Sequence, residues 1–103
     1  MAQLITIWWR DIPMQVIARE GRRTEKRVLD NRFQIAVDKA AMKAGKKSYG
    51  DYIEEMRRDE RPIDDEGGDL ATAADAEAAR LDAAYTKEVL RTLVASGGEG
   101  QRL

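Results

Sequence analysis

Apolar and polar residues alternate through "LITIWW" at positions 4–9, setting Ile5, Ile7 and Trp9 on one side and Leu4, Thr6 and Trp8 on the other. A period of two, in β-branched and aromatic residues, predicts a strand. "RDIP" ends it, because Pro13 has no amide hydrogen to donate and biases Ile12 away from helix. "MQVIARE" at 14–20 predicts a second strand with Met14, Val16 and Ala18 on one face. A hairpin turn at Gly21 leads into a third, "RRTEKRVL" at 22–29. Its few apolar residues and many charges suit a sheet edge.

The period then lengthens. In "DNRFQIAVDKAAMKAG" at 30–45, Phe33, Val37, Ala40 and Ala44 follow helical spacing, Asp30 or Asn31 can cap, and Gly45 fits a left-handed stop. Ser48 and Asp51 form a capping-box-like start to a second helix with Tyr49, Tyr52, Ile53 and Met56 on its apolar face. Arg57 and Arg58 fall at its end, where cations suit the helix dipole. "RDERPIDDEGG" (58–68), charged and ending in two glycines, reads as a linker. Residues 69–96 are alanine-rich and carry a seam of Leu70, Ala74, Ala78, Leu81, Tyr85, Val89 and Leu93, which predicts one long helix. "GGEGQRL" at 97–103 reads as a disordered tail.

The expected class is α+β: a three-stranded antiparallel meander and two short helices over residues 1–58, a charged linker over 59–68, a long helix over 69–96, and a tail over 97–103. A core of about 60 residues buries only around 60% of its chain surface. The long helix or a partner chain is therefore expected to cover it.

Composition narrows the chemistry. The 103 residues include no cysteine and no histidine. Disulfides, thiolate nucleophiles, Cys/His zinc sites and imidazole bases are thereby excluded. No apolar run approaches the roughly 20 residues of a membrane span, and Arg10 and Asp11 interrupt the start of any secretory signal. A cytoplasmic protein is expected. The formal net charge of −1 hides a split, with 13 Lys/Arg against 8 Asp/Glu in residues 1–58 and 5 against 11 in residues 59–103. A basic binding face with an acidic arm folded over it, or a solvated acidic tail, would both give that pattern.

Two adjacent tryptophans are the most conspicuous candidates. Either one indole fills the core while the other lies under a helix, or one is left exposed to anchor another protein, as Trp often does at interfaces, or to stack on a ligand. Arg10 and Asp11 are either a turn-stabilising pair or part of the same recognition surface. "GRRTEKR" at 21–27 supplies Arg22, Arg23 and Arg27, which either edge a solvated strand or form a basic ribbon for nucleic acid. Asp64, Asp65 and Glu66 lack the ligand spacing of a calcium loop. An enzymatic reading would need Asp11, Glu20 or Tyr52 gathered in one pocket.

"ITIWWRDIP", "QVIAREGRRTEKRVL", "RFQIAVDKAAMKAG" and "YGDYIEEMRR" together resemble the small bacterial "virulence factor" domain family across about residues 4–58. The resemblance implies an accessory protein, and the family's association with corrinoid-dependent methyl transfer implies methyltransferase machinery as the partner class. No catalytic residue carries over. The expected function is a non-enzymatic protein-interaction module without cofactor, metal or membrane contact. Its surface would centre on Trp8, Trp9, Arg10 and Asp11, with Arg22, Arg23 and Arg27 at the rim. The alternative is a nucleic-acid-binding module that uses the basic ribbon. Self-association is left open.

Overall fold

The computed structural model describes residues 2–46, 48–63 and 69–103. The chain is α+β, and its order is β1 (Gln3–Trp9), β2 (Ile12–Glu20), β3 (Arg23–Val28), α1 (Asn31–Lys43), α2 (Tyr49–Glu54), β4 (Met56–Pro62), α3 (Leu70–Ala84) and α4 (Lys87–Ala95). The four strands form one antiparallel sheet in the order β3-β2-β1-β4. The meander is present, and β3 is an edge strand as its charges predict.

The fourth strand corrects the expectation for residues 56–62, which the sequence assigns to a helix end and a linker. Residues Met56 to Pro62 pair with β1 along its whole length, from Trp9↔Met56 to Gln3↔Pro62. "MRRDERP" has no apolar alternation because it is an edge whose side chains are almost all exposed. Backbone pairing to a buried strand holds it, and that leaves no mark in side-chain periodicity. Residues 64–68, the rest of the expected linker and the site of the acidic triplet, lie outside the described residues.

A bulge falls between Ile7 and Trp8 in the β1–β2 register, where Ile7 pairs Gln15 and Trp8 pairs Pro13. Pro13 is tolerated in β2 because β3 pairs only from Gln15 onward, so β2 is locally an edge there. The caps follow the sequence. Asp30 accepts from the Arg32 amide and Ser48 from the Asp51 amide.

The expected long helix is two helices. Tyr85 ends α3, and Thr86 caps α4 by accepting from the Val89 amide. Tyr85 continues the i, i+4 seam from Leu81, so apolar spacing alone runs straight across the break. α3 lies on β2 and β3, burying Leu70, Ala74 and Leu81 in one core with Leu4, Val16 and Ala18. After the break α4 packs along α1. The two run in the same direction: Arg32 and Phe33 meet Tyr85 at one end, and Ala40 and Ala44 meet Gly98 and Gly97 at the other.

On the opposite sheet face Ile5, 1% exposed, stands outside that continuous core. Arg19 of β2 reaches Glu60 of β4 (3.8 Å), and Arg58 bonds the same carboxylate, so long polar side chains arch across β1. Ile5 itself stands directly opposite Ile17 of β2 and Glu60 of β4.

Candidate docking surface

The corner between β1 and β2 carries the first four candidate residues. Trp9 is 0% exposed and Trp8 5%. An exposed indole anchor is therefore overturned: neighbouring strand positions do face opposite ways, but each side is closed. Trp9 donates through Nε1 to the Tyr52 carbonyl (2.9 Å) and packs against the Tyr52 ring and Gly98. Trp8 meets the edge of Tyr85, and the Arg102 guanidinium lies over its ring at 4.2 Å. Trp8 Nε1 is buried with no hydrogen-bond partner in the protein among the described residues.

Arg10 and Asp11 are committed to the fold. Arg10 has φ 51°, a left-handed value that strains a non-glycine residue. Its amide donates to the Glu55 carbonyl, its Nε to the Glu55 carboxylate and its Nη1 to the Gly97 carbonyl. Asp11 accepts from the Gly100 amide and from Arg102. Leu103 donates its amide to the Tyr85 hydroxyl. Residues 97–103, read as a disordered tail, thus form a clasp over the two tryptophans. Glycines and polar residues give no periodic signal, and much of the clasp bonds through backbone groups.

Arg22 and Arg23 sit at the other end of the sheet from Arg10, roughly 26 Å away along a nine-residue strand, and Arg27 lies opposite Val16, midway along that strand. The seven candidate residues do not form one surface. Arg27 pairs with Asp75 at 2.6 Å and Glu25 at 3.3 Å, and Arg23 approaches Glu20 at 3.9 Å. Arg22 is exposed with no acidic partner among the described residues. Asp11 and Glu20 also lie at opposite ends of the sheet.

The buried titratable groups are held in structural pairs. Burial alone would raise the Glu77 pKa, but hydrogen bonds from Arg80 and the charge of Arg61 outweigh it and hold the carboxyl below its ordinary range. Glu55 is likewise lowered, as Arg10, Lys46 and Arg57 overcome its desolvation. Burial raises the Tyr85 phenol, opposed by the Leu103 amide and nearby arginines.

What remains open is a surface the sequence did not single out. α1 turns Arg32, Ile35, Ala36 and Lys39 toward a groove of about 360 Å³, and α4 lines its other wall with Lys87, Leu90, Arg91 and Val94. Both sets have the spacing i, i+3, i+4, i+7 of a single helix face. Ile35 is 45% exposed. Seven residues along α1, on the same face, Met42 is 69% exposed, and Tyr49 beside it is 81% exposed. Met42 and Tyr49 share a second concavity with Ala41 and Tyr52. The result is an exposed apolar band along α1. Its signal was present in 32–39, but reading 69–96 as one helix hid the α4 wall, whose phase restarts at Thr86.

Among the described residues no helix is long and apolar enough to cross a membrane. The family model described as "Virulence factor" matches residues 7–94, which extends the sequence resemblance through α3 and nearly to the end of α4. No curated protein and no solved structure matches the chain.

Proposed function

The chain belongs to the virulence factor family, and from that premise we propose that it is a non-enzymatic accessory module that docks another protein on the α1 side. The observation that carries this reading is the exposed band of Ile35, Met42 and Tyr49 beside the α1–α4 groove. Large apolar residues left in water next to a concavity are an unfavourable surface for an isolated chain. Methionine and tyrosine are also enriched where proteins meet. The Glu55 and Glu77 carboxylates are tied into ion pairs and the Tyr85 phenol accepts from the Leu103 amide, which favours binding over catalysis. The methyl-transfer association of the family makes corrinoid-dependent methyltransferase components the first partners to try.

The test is affinity capture with the wild-type chain and with Ile35→Glu and Met42→Glu, two exposed positions whose replacement leaves the core intact. A purified methyltransferase component should be retained by the wild type and lost by both variants at unchanged melting temperature. Retention by the variants, or no retention by any of the three, would overturn the assignment of this surface.

A further inference from the structure

We infer that the α1–α4 groove receives an acidic amphipathic helix from the partner protein. This rests on the docking reading above and adds the chemistry of the occupant. Two parallel helices packed side by side present a furrow that a third helix can fill, ridge into groove. The floor here is apolar: Ala36 and Leu90 are buried at its base, and Ile35 and Val94 rise on either wall. A nucleic-acid backbone would bury none of that surface, whereas leucine-type side chains at helical spacing would.

The walls set the sign of the charge. Lys39, Lys87 and Arg91 are exposed and make no ion pair among the described residues. Arg32, the fourth cation, is held by Asp30, Asp82 and the Tyr85 carbonyl. Asp38 and Glu88 are each one position from a groove lysine, which turns them about 100° away from it. Lys87 is also the first residue of α4, at the positive end of the helix dipole. A cation there weakens its own helix, so its placement favours an anion brought from outside. The Lys39, Lys87 and Arg91 side chains match glutamates or aspartates flanking an apolar stripe about two to three turns long.

The test uses two synthetic helices of about 16 residues, long enough to be helical when bound. Both carry leucines at i, i+3, i+4 and i+7; one has glutamates on the flanks and the other lysines. Binding to the full chain is read by fluorescence anisotropy and by amide shifts. The glutamate peptide should bind at least tenfold tighter than the lysine peptide at low salt, with the preference shrinking as salt rises. Shifts should centre on Ile35, Leu90 and Val94. The paired substitution Lys87→Glu and Arg91→Glu should reverse the preference, with the urea midpoint confirming an intact fold.

Equal binding of both peptides, or tighter binding of the lysine peptide, overturns the acidic occupant while leaving the groove a docking site. Shifts confined to other surfaces, or a second copy of this chain filling the groove at high concentration, also overturn it. The docking reading itself stands or falls on the separate Ile35→Glu and Met42→Glu result.

Discussion

Replacing Gly98 by alanine tests whether the C-terminal clasp belongs to the fold. Gly98 has φ +94°, and an added Cβ would stand 2.8 Å from Trp9 Cζ3 and 3.1 Å from Cε3. Carbon atoms in contact settle at about 3.5–4.0 Å. The indole has nowhere to retreat: Nε1 is bonded to the Tyr52 carbonyl, and the Arg10 guanidinium lies 5.4 Å from the ring centre. Left-handed backbone costs an L-residue about 1–2 kcal/mol, and forcing a methyl into a packed core about 1–3 kcal/mol. Gly98→Ala should therefore destabilise the chain by about 2–5 kcal/mol. Gly97→Ala is the internal control. Its φ is +68°, but the added Cβ meets Ala44 Cβ and Arg10 Nη1 at 3.4 and 3.5 Å, close to ordinary contact. It should cost about 1–2 kcal/mol, from backbone strain alone. Urea unfolding followed by tryptophan fluorescence reads the pair, with a slope of about 1–3 kcal/mol/M for a chain of this size. If Gly98→Ala falls within about 0.5 kcal/mol of Gly97→Ala, a margin set by ordinary surface substitutions, the clasp does not pack on Trp9 and the sealed corner is wrong.

The other predictions concern the indoles and the acid response. Trp9→Phe gives up a made hydrogen bond and leaves the Tyr52 carbonyl unpaired, whereas Trp8→Phe removes a buried N–H that had no partner. Urea midpoints should show Trp9→Phe more destabilising than Trp8→Phe by about 1 kcal/mol; the reverse order would contradict the assigned environments. For Glu77, the folded pKa lies below the ordinary 4.5, so its stabilisation is complete above that value and drains away as pH falls through the folded one. Glu55 acts in the same direction. Stability measured from about pH 7 to about pH 3 should fall for the wild type in the acid limb and fall less for Glu77→Gln, in proportion to the linkage Glu77 contributes. Parallel curves would show that the Arg61–Glu77–Arg80 cluster does not support the fold.

The sequence was legible where a period or a cap was written into side chains. Ile5, Ile7 and Trp9 against Leu4, Thr6 and Trp8 located β1, and Asp30 and Ser48 marked the starts of α1 and α2. It was illegible where the fold rests on backbone bonds. β4 is held by the ladder to β1, and the clasp by Asp11 accepting from Gly100 and by Leu103 donating to Tyr85. Tyr85 misled for a different reason. It sits at a seam position and is fully buried, yet it closes α3 rather than extending it. The tryptophans show the limit of strand geometry as a guide to exposure. Opposite faces were right, but sealing depended on α2, Tyr85 and residues 97–103, none of which the alternation encodes.

Charge sorting links this closure to the surface left open. The basic first half and acidic second half meet within the chain: Arg27 pairs with Asp75, Arg32 with Asp82, and Arg10 approaches Glu99. These bridges lay α3 over the sheet and hold the clasp against the β1–β2 corner, so the acidic second half does fold onto the basic first half. Surface ion pairs are individually worth little, about 0–1 kcal/mol each, and their placement matters more than their sum. They neutralise Arg10 beside the tryptophans and Arg27 on β3, two of the positions where the sequence suggested a partner would bind. Lys39, Lys87 and Arg91 stay outside that closure, beside an apolar floor that α3 and the clasp do not reach. The fold has answered most of its internal charge and left uncompensated cations against an exposed isoleucine and a half-buried valine. An occupant that satisfies both at once must be anionic and apolar on the same face.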